Sequence, residues 1–430
     1  MKRQKKKCLI LTLLLVNFCT YSSECVSIPE ENLGPNDWYR IWFSPKIEHC
    51  SEMILDSNNN IYLAGYTYIP QNPLDYDMLL IKYQNNSDYS ISTSWNSTMY
   101  DQSYDLALDS FNNIYLAGVS GNYSNTYYTL VKFDNDLNCQ WNRTWGMYED
   151  NRCYSVAIDS QDNIYLGGYI MQEDGHLDIC LVKYNSSGDF QWNEIWSSSN
   201  FANDFCSAIA IDSEDNIFLT GSIRTDYTYG SELCLLKYNN SGDFQWSIIR
   251  EPPNSEIGIG LALDSKDNAF VVGQTGNIET VVMKYNKDGV FQWERIYSGE
   301  MYCYSTEIAV DSTDNLYIGG ENKLIESNGP SASVVKYNNN GTLLRHIEWG
   351  EPYIDACGGL AIDSMDNILL AGEISAYEYH IDGIYIVRNP RTLTNPVIIK
   401  GFSIIVVIFC VLLGIFLSIF ILFKKNKMMN

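Results

Sequence analysis

The sequence predicts an all-β chain: a seven-bladed β-propeller closed by its N-terminal strand, followed by one C-terminal transmembrane helix. Three observations predict it. One short phrase recurs seven times at a period near 50 residues. Four strand-like segments accompany each copy. The last copy lacks its fourth segment, and a match for it stands at the other end of the chain.

The phrase is [ILV]-D-S-x-[DN]-N-x-[YFL]-[LVI]-x-G. Its aspartates are Asp56, Asp109, Asp159, Asp212, Asp264, Asp311 and Asp363, spaced by 53, 50, 53, 52, 47 and 52 residues. Each copy reads as a β-hairpin. Val156-Ala157-Ile158 leads into Asp159-Ser160-Gln161-Asp162-Asn163, and Ile164-Tyr165-Leu166 follows. Asp, Ser and Asn favour turns because their side chains bond nearby backbone groups and tolerate left-handed geometry. A third strand, Ile179-Cys180-Leu181-Val182-Lys183-Tyr184, comes next. The turn Asn185-Ser186-Ser187-Gly188 then leads to a fourth, Phe190-Gln191-Trp192-Asn193-Glu194-Ile195-Trp196. Four short strands make one propeller blade. After the last copy only a third strand remains, at 383–388. Asp37-Trp38-Tyr39-Arg40-Ile41-Trp42 matches the missing fourth, so the N-terminal strand is expected to close the ring and remove an open edge.

The phrase from Ala157 to Gly167 is similar to the SBBP-type β-propeller repeat, and more weakly to the NHL repeat. The stretch from Lys183 to Trp192 also looks like part of a PQQ-type blade. The SBBP resemblance spans roughly residues 38–389. It implies a fold found in surface or secreted modules of assorted function.

Both ends concern location. Residues 1–23 read as a secretory signal: Lys2, Arg3, Lys5, Lys6 and Lys7 precede a short apolar run. Cleavage is expected between residues 22 and 27, with an uncleaved anchor as the alternative. Residues 24–37 read as a linker, 38–389 as the propeller and 390–400 as a juxtamembrane linker. Residues 401–423 are 23 in a row without a charge. At ~1.5 Å per residue such a helix is ~34 Å long, enough to cross a bilayer. Lys424, Lys425 and Lys427 follow in the tail 424–430, and basic residues stay on the cytoplasmic side. The expected location is therefore the cell membrane, single-pass type I, with the propeller extracellular.

Charge agrees with this. Eight of the 28 basic residues lie in the two basic tips, against 52 acidic residues elsewhere. Nucleic acid, which needs a positive surface, is excluded as an expected partner. An extracellular protein or glycan is the partner class expected. Glycosylation is expected at the sequons Asn85, Asn96, Asn122, Asn142, Asn185, Asn239 and Asn340; chance sequons in an Asn-rich chain are the alternative.

Antiparallel blade strands place the D-S-x-[DN]-N turns and the K-Y-N turns on one face. That face is expected to tend toward the membrane. The opposite face carries the loops between second and third strands, which are rich in Tyr. Tyr66, Tyr68, Tyr127, Tyr128, Tyr227, Tyr229, Tyr377 and Tyr379 are the candidate ligand-binding residues there. Tyr joins an apolar ring to a hydrogen-bonding tip, which suits sugars or peptides. The alternative is that these rings pack between blades.

Eight positions before the repeat aspartates stand Glu48, Asp101, Asn151, Asp204, Glu256, Cys303 and Asp355. The acids Glu48, Asp101, Asp204, Glu256 and Asp355 are candidate ligands for a hard cation at the channel mouth. The competing expectation is that each caps its own inter-blade turn. Calcium is the one cofactor this pattern suits; no other is expected. Six positions before the aspartates, small residues include four cysteines. Cys153 and Cys206 belong to adjacent blades, as do Cys50 and Cys357 once the ring closes. Both pairs are candidate disulfides, although nine cysteines in the exported region leave one over. Lys82, Lys132, Lys183, Lys237, Lys284, Lys336 and Arg388 recur at one strand position, which suggests that they neutralise the repeat acids.

No nucleophile elbow, P-loop, dinucleotide fingerprint or H-E-x-x-H pattern is present. The function expected is a binding, adhesion or interaction module at the cell surface, and no catalytic residue is assigned. The alternatives are an extracellular carbohydrate-active enzyme using acids at the channel mouth, and a purely structural envelope protein.

Overall fold

The computed structural model describes residues 24–27 and 38–389, apart from residues 45, 70–71, 86–88, 98–99, 123, 147–148, 199–202, 225–229, 251–254, 277–278, 298–301, 324–330, 350–353 and 377–380. The signal, the linker 390–400, the apolar segment 401–423 and the tail 424–430 lie outside the described residues, as do Tyr227, Tyr229, Tyr377 and Tyr379.

Every element among the described residues is a strand. β1 (Glu24–Ser27) and β2 (Trp38–Phe43) precede the repeats. The first blade is β3 (Ile47–Leu55), β4 (Ile61–Ile69), β5 (Asn72–Tyr83) and β6 (Ser90–Trp95). The second is β7 (Gln102–Leu108), β8 (Ile114–Asn122), β9 (Asn125–Phe133) and β10 (Cys139–Trp145). The third is β11 (Arg152–Ile158), β12 (Ile164–Met171), β13 (Leu177–Tyr184) and β14 (Phe190–Trp196). The fourth is β15 (Phe205–Ile211), β16 (Ile217–Ile223), β17 (Glu232–Tyr238) and β18 (Phe244–Arg250). The fifth is β19 (Glu256–Leu263), β20 (Ala269–Thr275), β21 (Thr280–Tyr285) and β22 (Phe291–Tyr297). The sixth is β23 (Tyr302–Val310), β24 (Leu316–Lys323), β25 (Ser331–Tyr337) and β26 (Leu343–Trp349). β27 (Ile354–Ile362), β28 (Ile368–Ala376) and β29 (Ile381–Arg388) form the seventh with β2, which pairs Trp38 with Arg388 and Trp42 with Ile384. The expected closure is therefore present. Glu24–Ser27, inside the segment read as a linker, adds a fifth strand against β2.

The repeat phrase builds one turn seven times. In the third blade, Asp159 accepts the backbone N–H groups of Gln161 and Asn163, the Asn163 amide and the Tyr165 hydroxyl. The third-strand cation completes this in five blades: Lys132, Lys237, Lys284 and Lys336 lie 2.6–3.4 Å from Asp109, Asp212, Asp264 and Asp311, and Arg388 pairs with Asp363. Lys82 and Lys183 reach the carbonyls of Asn135 and Asn240 instead. The same lysines sit over second-strand rings, as Lys284 does over Phe270 at 4.4 Å. The lysine column is thus structural.

The core lies between neighbouring blades. Tyr128 and Leu130 of the second pack with Cys153, Val156 and Leu166 of the third. Cys50, Cys153, Cys206 and Cys357 are all buried in such packing, and Cys153 and Cys206 carry free thiols. The Sγ atoms of Cys153, Cys206 and Cys357 donate weakly to carbonyls two residues on, at 3.6–3.7 Å.

Candidate functional site: the channel mouth

The innermost strands carry a repeated irregularity. In all seven, a β-bulge falls between the sixth and fourth residues before the repeat aspartate, as between Cys50 and Glu52. A bulge turns the following side chain away from its regular direction. Residues at and after the bulges line a central cavity of about 610 Å³, where the acids Glu52, Asp105 and Glu307, the hydroxyls of Tyr104, Tyr154, Ser155 and Ser207, and mostly aliphatic residues form the wall.

Aromatic rings form an arc on the face opposite the repeat turns. His49 stacks on Tyr66 at 4.5 Å, and Tyr66 meets Tyr76 at 5.4 Å. Tyr76 meets Tyr100 at 5.4 Å, and Tyr100 hydrogen-bonds Tyr104. Tyr104 meets Tyr154 at 5.2 Å, Tyr154 meets Tyr169 at 5.9 Å, and Tyr169 meets Phe205 at 5.1 Å. Tyr68 joins from the side, 5.2 Å from Tyr76. The arc therefore runs from the first blade to the fourth.

Its chemistry is mostly neutral. Crowding by neighbours lowers the His49 imidazole to about 4, so it is uncharged at neutral pH, with Nε2 lying 3.0 Å from Glu373 Oε1. Burial raises the hydroxyls of Tyr66 and Tyr104, which stay protonated and able to donate. Arg152 and Asp150 pair at 3.2 Å beside Tyr169, whose hydroxyl donates to Asp150. Apart from Tyr169, which is buried, the tyrosines of the arc are half-buried rings with hydroxyls, and together they offer apolar surface and hydrogen bonds, the combination that sugar rings match.

The candidate tyrosines divide. Tyr66 and Tyr68 belong to this arc, but they stand in β4, not in a loop; β4 and β5 extend as a long hairpin that pairs Tyr68 with Tyr76. Tyr and β-branched residues favour extended pairing over a loop. Tyr127 and Tyr128 likewise stand in β9. Tyr127 is exposed, whereas Tyr128 is fully buried and donates to the Cys180 carbonyl. Tyr100, Tyr104, Tyr154, Tyr169 and Phe205 were missed. Tyr104 and Tyr154 had a signal in a break of repeat symmetry, standing five positions before the aspartates where the other blades carry Ser, Ile, Thr or Gly. Phe205 had one seven positions before, where most other blades carry no ring; Tyr100 and Tyr169 had none.

The acids eight positions before the aspartates are kept apart. Asp101 accepts the backbone and hydroxyl of Ser97, and Asp204 does the same with Ser198. Glu48 accepts from Ser44, and Glu256 pairs with Arg250 at 3.1 Å. Each serves its own inter-blade turn. The Asp355 side chain lies outside the described residues. Among the described residues, no three His, Cys, Asp or Glu side chains converge as a metal site would require. The sequons fall on turns and outer strands: Asn85, Asn96, Asn122, Asn142 and Asn340 are exposed, while Asn185 and Asn239 are half-buried and cap their own turns.

No known protein family matches the chain, and no curated protein does. Solved structures resemble its fold. An ulvan lyase representing a new polysaccharide lyase family superposes with a TM-score of 0.56 at 11% identity, over 83% of this chain and 97% of that one. The polysaccharide lyase Uly1 gives 0.50 at 10% identity, over 80% and 90%. The β-propeller domain of the Trilobed protease from Pyrococcus furiosus gives 0.47 at 9% identity, over 81% and 100%. At these identities the likeness to the two lyases concerns the fold alone, and it is the seven sheets themselves that show a propeller.

Proposed function

We propose that this chain is a glycan-binding propeller displayed at the cell surface. The observation that carries the reading is the arc of rings from His49 to Phe205 beside the channel. A run of adjacent aromatic faces with hydroxyl donors can receive successive sugar units of a chain. The SBBP-like repeats, the basic apolar leader, the uncharged segment 401–423 and the sequons all suit an exported, anchored glycoprotein. The arc recruits little charge, so shape and hydrogen bonding select the ligand.

Purified chain should be tested against a panel of immobilised polysaccharides. Tyr76→Ala and Tyr154→Ala should each weaken capture by about tenfold, the ~1.5 kcal/mol of an aromatic contact. Capture unaffected by both changes, or no capture from a broad panel, would sink the reading.

A second reading is carbohydrate cleavage. It is favoured by the neutral His49 imidazole beside Glu373 within the arc, on a fold shared with two polysaccharide lyases. It predicts soluble fragments released from the polymer over hours and none from His49→Ala. Binding without fragments leaves the first reading alone.

A further inference from the structure

The outermost strands of the blades are not covered alike. Ile41 of β2 pairs with Tyr385 of the third strand beside it. In the same register of the first five blades stand Ser94, Thr144, Ile195, Ile249 and Ile296. All five are exposed, the three isoleucines by 39, 39 and 50%. Ile41 is only 3% exposed. Its neighbours Arg40 and Trp42, which alternate to the other face of the sheet, are 4% exposed each.

The seventh sheet has one feature that the other six lack. β1 pairs along β2, with Val26 opposite Ile41 and Cys25 opposite Trp42. In the other blades the fourth strand is the edge of its sheet; here it is an interior strand. An unpaired edge is a template for another chain, and β2 is the strand on which ring closure depends. Residues 24–27 therefore belong to the folded propeller.

This bears on how the chain is processed. Leader cleavage needs small residues in the first and third places before the bond. Three bonds meet that pattern in the stretch where a cut is expected: Ser22–Ser23, after Thr20 and Ser22; Cys25–Val26, after Ser23 and Cys25; and Ser27–Ile28, after Cys25 and Ser27. The pattern alone does not separate them. A cut at the second would halve β1, and a cut at the third would remove it. A cut at the first leaves β1 whole, with Ser23 to spare.

We propose that Ser22–Ser23 is the processing site, and that the mature chain begins at Ser23 with its fifth strand intact. A leader peptidase hydrolyses that amide: water adds across it, leaving a carboxylate on Ser22 and an amino group on Ser23. The proposal rests on the export part of the reading above, and not on the glycan.

The test expresses the full chain in secreting cells. Intact cells are labelled with a membrane-impermeant reagent, and the N-terminal peptide of the purified chain is read by mass spectrometry. A chain beginning at Ser23 is the expected result. One beginning at Val26 or Ile28 overturns the proposal and leaves export standing, as does a labelled chain that keeps Met1. An unlabelled chain that keeps Met1 overturns the export reading as well. Deleting residues 24–27 should lower the melting temperature; a deletion chain that melts with the wild type would remove the reason for choosing this bond and overturn the proposal too.

Discussion

Ser364 of the last blade and Asn59 of the first grip each other across the seam of the ring. The Ser364 backbone N–H donates to Asn59 Oδ1 at 3.2 Å, and Asn59 Nδ2 donates to Ser364 Oγ at 2.9 Å. Five other junctions use an aspartate in the same way, as Ser160 does with Asp215 through its N–H at 2.9 Å and its hydroxyl at 2.8 Å. The gripping residue is left-handed in every blade, with φ between 59 and 62°. Asp and Asn tolerate that conformation better than other side chains.

Asp215 therefore has two duties that substitutions can separate. Asp215→Ala loses the clasp and puts a poorly suited residue at φ 61°, and should cost about 2–3 kcal/mol. Asp215→Gly loses only the clasp and should cost about 1 kcal/mol. Asp215→Asn should be nearly neutral, since Asn59 performs the same role. Urea titration of the three variants measures the order.

Gly168 is required for space. Its bulged partner strand leaves the Arg152 carbonyl oxygen 1.9 Å from where a Cβ would stand, and the Tyr128 hydroxyl 2.8 Å away. Gly168→Ala should cost about 3 kcal/mol or more, because backbone must move. Gly175→Ala is the control: its φ is +88°, but nothing lies within 4 Å, so only about 1 kcal/mol is expected. Equal denaturation midpoints for the two would refute the steric account.

Lys284 and Asp264 form a buried pair at 2.6 Å. Burial alone would raise the Asp264 carboxyl, but its bonds to Lys284 and Asn268 prevail and lower it to about 2. The folded chain thus binds this proton less readily than the unfolded one. Stability from the site is present above about pH 4 and is lost as pH falls through about 2. Lys284→Met should cost about 3 kcal/mol at neutral pH and move acid unfolding to higher pH. Adding Asp264→Asn should recover part of that loss. Thermal melts from acid to neutral pH would show both effects.

Trp42 anchors the closing strand. It is buried against Met53, Ile61 and Ile384 around the seam. Trp42→Ala should cost about 3–5 kcal/mol. It should also loosen β2 from β29 and bare a pairing edge, so the variant should self-associate on size-exclusion chromatography where the wild type does not. A monomeric variant of unchanged stability would mean that closure depends on something other than this strand.

The blade count, the turn chemistry, the ring closure and the lysine column were legible in the chain because they repeat. Seven copies of D-S-x-[DN]-N impose the same local bonds wherever they occur, and local bonds need no knowledge of distant neighbours. The acids at Glu48, Asp101, Asp204 and Glu256 also repeat. Two roles were open to them in the sequence, and contact distances put each on its own turn.

Only the tertiary structure brought together residues that differ between repeats. Glu52 and Glu307 are 255 positions apart, and they line one central cavity because the ring closes. The rings from His49 to Phe205 became one surface because successive blades bring strands one, two and three of different repeats side by side, with Tyr104 and Tyr154 standing in the bulges of their inner strands. The sequence by itself set the blade, since a blade is made by pattern. Curvature set the site, since a site here is made by side chains that closure brings face to face.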